Sequence, residues 1–160
     1  MQVIGVVFFG IFTLLSGPLA DQIGRRKLLI WVTSLIAVFG LTFDVFLMVR
    51  EDVAFTGALA QSFLVLGFTL MGATFGPMGA ILPELFPTNV RYTGSAIAYN
   101  VSSILGAALA PIIALELWRI ADGSTWLVGV YLTGAAVLTL IALILSQETK
   151  DQDYSRVSHD

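Results

Sequence analysis

The chain has 160 residues, of which 57% are hydrophobic and 12% charged, with a mean hydropathy of +0.89 and a formal net charge of −3. Soluble domains carry about a quarter charged residues, so this composition excludes one, and the slight acidity leaves no electrostatic footprint for nucleic acid. The lack of cysteine excludes disulfides and thiolate metal sites.

Charge is absent from Met1 to Ala20, Val53 to Leu82, Tyr92 to Leu115 and Gly123 to Gln147, and Leu28 to Val49 is interrupted only by Asp44. Each stretch reaches the roughly 20 residues that a bilayer requires. Backbone groups in lipid must be satisfied within the segment, and the stretches lack the period-two alternation of barrel strands, so they are helices. The expected fold is an all-α membrane bundle with helices at about 2–20, 28–49, 55–82, 93–117 and 125–146 and a polar, solvated tail at 147–160.

The first span lacks a basic leader and runs too long for a cleaved signal peptide. It ends in GPLADQIGRRKLL, Gly17 to Leu29, a dense patch of charge between two apolar runs. Gly17, Pro18 and Gly24 predict a tight aqueous turn that holds Asp21 near the membrane face, at a helix N-terminus, while Arg25 and Arg26 reach toward phosphates or carboxylates. In the second span, Asp44 is an intramembrane acid and so a candidate proton carrier. It lies five residues before Val49, roughly 7–8 Å from the outer end of the span, which favours an interfacial carboxylate beside Arg50.

The third span contains Gly72, Gly76, Pro77 and Gly79, and Pro77 predicts a kink there. Gln61 and Thr69 are its candidate cavity groups, or else ordinary interhelical hydrogen bonders. Pro83 and Pro87 predict that the helix stops near Leu82. In the loop beyond, Glu84 and Arg91 are expected to pair with each other or with Arg25 and Asp21. In the fourth span Gly94, Ala98, Ser102, Gly106 and Ala110 recur every four residues, a ridge of small side chains along which helices approach closely. Asn100, costly in hydrocarbon without a partner, either bonds a neighbouring helix or faces a cavity. Glu116 and Arg119 read as an exposed pair at the end of that span.

Of the eight Lys and Arg residues, Arg25, Arg26, Lys27, Arg91, Lys150 and Arg156 fall on one side of this topology, and Arg50 and Arg119 on the other. Basic residues in short connections stay cytoplasmic, so both charged loops and the carboxyl terminus are expected inside, in a plasma membrane, the bacterial inner membrane. Five spans then put Met1 outside, an asymmetry expected of a piece of a longer protein.

Gly17, Leu19, Ala20, Asp21, Gly24, Arg25 and Arg26 match Gly-x-Leu-Ala-Asp-x-x-Gly-Arg-Arg/Lys, and Leu82 to Gly94 reads LPELFPTNVRYTG. On these two motifs the chain resembles the major facilitator superfamily of secondary transporters, in the metabolite:proton symporter branch that includes proline/betaine, shikimate and α-ketoglutarate carriers. The resemblance implies that the five spans correspond to helices eight to twelve of a twelve-helix fold, without the amino-terminal half and helix seven. It implies alternating access, a small organic acid or zwitterion as substrate, a proton as coupling ion and no other cofactor. It would make Asp21 a latch against the absent half, put the hinge of Gly76 and Pro77 in a cavity-lining helix, and set the small-residue ridge between the halves. An intramembrane enzyme would need a nucleophile with its base, paired acids or a metal cluster inside the spans. The single histidine, His159, is in the tail, and Asp44 is the one acid well inside a span, so neither a catalytic nor a metal site is expected. A non-transporting helical assembly subunit is the alternative.

Overall fold

The computed structural model describes residues 2–47 and 53–146; the tail at 147–160, the end of the second expected span at 48–49, and Arg50 lie outside the described residues. The helices are α1 (Gln2–Ile23), α2 (Arg25–Leu41), α3 (Phe43–Leu47), α4 (Val53–Glu84), α5 (Arg91–Ser103), α6 (Leu109–Ile120) and α7 (Trp126–Leu145), with a π-helical turn, Ile104–Ala108, joining α5 to α6. No strand occurs among the described residues. Four runs are each long and apolar enough to cross a membrane: Val3–Ile23, Gly57–Glu84, Arg91–Ile120 and Trp126–Leu145. The remaining expected span is present as α2 and α3. Thr42 sits between them at φ −90° and ψ 0°, its amide still bonded to the carbonyls of Val38 and Phe39. Residues 25–47 are about 34 Å long at the helical rise, enough for a hydrocarbon core.

Hydroxyls within the helices return their protons to the preceding turn. Thr13 donates to Phe9 O at 2.7 Å, Ser34 to Ile30 O at 2.8 Å and Thr139 to Ala135 O at 2.9 Å. This satisfies polar side chains where water is absent.

Two close helix pairs build the bundle. On α4, Gly72 and Gly76 lie against α1: a Cβ on Gly72 would stand 3.1 Å from the Cα of Phe9, and one on Gly76 would stand 2.5 Å from the Thr13 carbonyl oxygen. The buried Ser16 hydroxyl seals the contact, donating toward Gly72 O at 3.3 Å and Thr13 O at 3.2 Å. Between α2 and α7, a Cβ on Gly40 would stand 3.0 Å from the Gly129 carbonyl oxygen, and Thr133 Oγ1 approaches Ala37 O at 3.2 Å. Small residues permit this approach where no hydrophobic force drives helices together. Phe63 of α4 links the pairs, stacked on Phe39 with centroids 4.1 Å apart and on Phe46 at 5.2 Å. Nearer the charged end, Ala20, Leu28 and Val32 form a buried cluster with Ile36, Leu70 and Ala73 packed on it.

Two expectations change. The first helix continues to Ile23, so Gly17 and Pro18 are helical and the turn reduces to Gly24. α4 runs two residues beyond Leu82, through Pro83 to Glu84. Helix α4 also continues through Pro77. Pro77 is fully buried and Gly76 is pressed on α1.

The π turn ends three residues before Pro111, whose ring in a regular helix would clash with the Ala107 carbonyl. It also affects the small-residue ridge. In an ideal α-helix, residues spaced four apart from Gly94 to Ala110 drift about 160° around the axis. One residue absorbed in the π turn cuts that drift to about 60°. The ridge therefore stays closer to a single face than an unbroken helix would allow.

Candidate functional site

The charged turn rests on one residue. Gly24 has φ 109° and ψ 129°, a backbone conformation that side chains disfavour. Its amide bonds Ala20 O at 2.9 Å and its carbonyl accepts from Leu28 N at 3.0 Å, so α1 turns into α2 with no intervening loop.

Across this turn Arg25 bridges two acids. Its Nε and Nη2 donate to Asp21 Oδ1 at 3.1 and 3.0 Å, and its Nη1 donates to Glu84 Oε1. The Arg25 and Glu84 side chains are 18% and 22% exposed and Asp21 61%, so the Glu84 arm is the shielded one. The bond to Glu84 raises the Arg25 pKa above its ordinary value; burial opposes this and Asp21 adds to it. Glu84 Oε2 is buried without a hydrogen-bond partner among the described residues.

Each member of this cluster opposes a helix dipole. Asp21 is in the last turn of α1 and Glu84 ends α4, where the dipole is negative, while Arg25 begins α2, where it is positive. The expectation that Asp21 lies at a helix N-terminus is thus corrected: with Gly24 as the whole turn, Asp21 stays in α1 and is held by Arg25 four residues on.

The other motif residues make further contacts at this end of the bundle. Arg26, expected to reach toward phosphates or carboxylates, turns to the end of α7: its Nε donates to Leu143 O at 2.8 Å and its Nη2 to Ile144 O at 2.6 Å. Glu84 pairs with Arg25, and Arg91 directs its Nε to Phe86 O at 3.4 Å inside the loop. The Phe86 ring packs on Gly94, the first residue of the small ridge. Glu116 and Arg119 form the expected exposed pair at 2.7 Å.

Asp44 has partners that sequence reasoning missed. Its Oδ1 accepts from Ser124 Oγ at 3.0 Å, Thr125 Oγ1 at 3.1 Å and Thr125 N at 3.3 Å, at the start of α7. The available signal was Ser124-Thr125 directly before an apolar run, a helix-start pattern.

A cavity of about 680 Å³ lies among α2, α4, α5 and α7, walled mainly by aliphatic and aromatic side chains such as Leu29, Phe75, Met78 and Leu132. Arg26, Tyr99, Ser102 and Ser103 also line it. Gln61, Thr69 and Asn100 are not among the residues that line it. Thr69 donates to Val65 O and Asn100 to Ala96 O, both at 2.8 Å within their own helices, and Gln61 is half-buried elsewhere on α4. Back-bonding to the preceding turn satisfies the Thr69 hydroxyl and one of the two Asn100 amide protons. Of the small ridge, Ser102 borders the cavity, and Gly106 has open space where a Cβ would stand.

The family model for sugar (and other) transporters matches residues 1–160. The inner membrane metabolite transport protein YhjE of Escherichia coli strain K12 is 48% identical over 153 residues, which cover 95% of this chain and 33% of that protein. A candidate metabolite transport protein of Haemophilus influenzae is 47% identical over 157 residues, 98% of this chain and 34% of its own length. The proline/betaine transporter of Salmonella typhimurium is 34% identical over 137 residues, covering 85% and 26% respectively. The chain thus spans about a third of the length of the first two relatives. No solved structure matches it. With the charged motif, an all-helical apolar fold and a family match along its whole length, this chain belongs to the sugar (and other) transporter family of the major facilitator superfamily.

Proposed function

We propose that the chain is the carboxyl-terminal part of a secondary active transporter that carries a small organic acid or zwitterionic metabolite by proton-coupled symport and alternating access. The observation that carries this reading is the convergence on Arg25 of acids from two separate connections, Asp21 beside the first and Glu84 before the second. All three charges oppose the dipoles of their own helices, so their pairing holds an arrangement that the helices alone disfavour. That is the behaviour of a latch that breaks and reforms. A passive anchor has no use for it, and the relatives are named for transport.

In this reading the charged end faces the cytoplasm, as the distribution of basic residues favours. The remaining helices of the carrier supply the other wall of the substrate path. Solute crosses between the two halves without covalent chemistry, and the proton supplies the driving force.

Uptake of labelled proline, betaine, shikimate and α-ketoglutarate into cells expressing the full-length protein tests this. Accumulation of one of them, collapsed by a protonophore and lost in Asp21→Asn and Arg91→Ala at normal membrane levels, is expected. Uptake that equilibrates without accumulating and ignores the protonophore would replace symport with facilitated diffusion. Uptake that survives both substitutions would remove the latch.

A further inference from the structure

We infer that the cavity among α2, α4, α5 and α7 holds the solute, and that Thr33, Tyr99, Ser102 and Ser103 read hydroxyl groups on it. The solute is then a hydroxylated carboxylic acid and not a zwitterion. This rests on the proposed transport reading and narrows it.

Hydroxyls such as those of Thr13, Ser34, Thr69 and Thr139 bond back to the preceding turn of their own helices. Thr33, Tyr99, Ser102 and Ser103 make no side-chain hydrogen bond among the described residues, and all four line this one cavity. Thr33 is buried and Ser103 half-buried. A hydroxyl away from water needs a partner. These four find none within the described protein, so the partner belongs in the cavity they share.

Their depth agrees. α2 and α5 both start at the charged end, and Thr33 and Tyr99 each lie eight residues beyond the first residue of their helix, about 12 Å at the helical rise. Ser102 and Ser103 lie at about 16–18 Å. That is the middle of a hydrocarbon core about 30 Å thick, the level at which secondary transporters hold their solutes. At about 680 Å³ the cavity has the size of a small-molecule site, about 300–1,000 Å³, and the same construction of apolar walls with a few placed polar groups. Ser103 directly precedes the π turn at Ile104–Ala108, and single π turns concentrate at functional sites.

Charge narrows the solute. Arg26 lines the cavity, and no Asp or Glu does so among the described residues. An ammonium group has no carboxylate to meet there, whereas a carboxylate is drawn to the side that carries a guanidinium. Hydroxyls both donate and accept, so the four side chains match hydroxyls on the body of such an acid.

Equilibrium binding to the full-length protein in lipid nanodiscs tests this without transport. The probes are the hydroxylated acids shikimate, quinate and gluconate, the hydroxyl-free cyclohexanecarboxylate, and the zwitterion betaine. At least one hydroxylated acid is expected to bind about tenfold or more tightly than either of the other two. Ser103→Ala and Tyr99→Phe should each weaken it about three- to tenfold and leave cyclohexanecarboxylate unchanged, a selectivity that damage to the fold does not produce. Failure of all three hydroxylated acids to bind, or binding no tighter than cyclohexanecarboxylate or betaine, would overturn the inference whatever becomes of the variants. So would parental affinity for the hydroxylated acid in both variants. The expected preference without protonophore-sensitive accumulation would support the cavity and remove symport. Accumulation of proline or betaine with no binding of a hydroxylated acid would keep symport and remove this inference.

Discussion

Gly24 shows how much of the charged turn rests on a single residue. At φ 109° it occupies backbone space that a side chain enters only at a cost of about 1–3 kcal/mol. Gly24→Ala should therefore lower the thermal stability of the purified carrier by about that amount, read as a drop in melting temperature. Asp44 and Arg26 make separate contributions at the two ends of α7. Asp44→Ala should cost about 0.5–2 kcal/mol, as loss of an N-terminal cap does, and Asp44→Asn, which keeps an acceptor, should cost less. Hydrogen exchange at Trp126 and Leu127 should rise in the first variant and stay near parental in the second. Arg25 is expected to be indifferent to alkali. Its pKa is raised in the folded state, so its stabilising contribution is complete below the ordinary arginine value and fades only as pH climbs through the higher folded value. A melting series from about pH 7 to pH 9 should find no loss traceable to Arg25.

At the scale of the element, the helices owe their existence to apolar length and their arrangement to glycine. Gly72 and Gly76 meet backbone of α1, whereas a Cβ on Gly79, in the same helix, would find nothing within 4 Å. Gly76→Ala should destabilise the bundle by about 1–3 kcal/mol through overpacking. Gly79→Ala should be neutral or stabilise by up to about 1 kcal/mol through helix propensity. Thermal melts of the two variants side by side check this contrast. The sequence announces the elements themselves, since charge-free length is what a bilayer selects. It hides the Asp21–Arg25 pair, which depends on α1 running on to Ile23 and Gly24 making the whole turn. It hides what depends on register between distant segments. Nothing local says that Arg26 reaches Leu143, that Asp44 reaches Thr125, or that Pro77 is fully buried. Polar residues inside spans are the least legible: residue type alone does not say that the Thr69 hydroxyl and an Asn100 amide proton bond back within their own helices. The π turn was readable in principle from Pro111 at mid-span.

For the whole molecule, the two glycine crossings divide the bundle into α1 with α4 and α2–α3 with α7, joined through Phe63 and the cluster around Leu28. Arg25 sits where the two pairs meet at the charged end. It starts α2 and holds Glu84 of α4 and Asp21 of α1. A transporter that alternates between two shapes needs contacts that hold one shape without making it permanent. Ion pairs set against helix dipoles meet that need, because the dipoles work against the pairs they accompany. The decisive measurement is uptake by the full-length protein carrying Arg25→Glu, Glu84→Arg, or both together, at matched membrane levels. Each single reversal is predicted to abolish accumulation, and the combined exchange to recover a substantial part of it. Parental uptake in either single variant would contradict the latch.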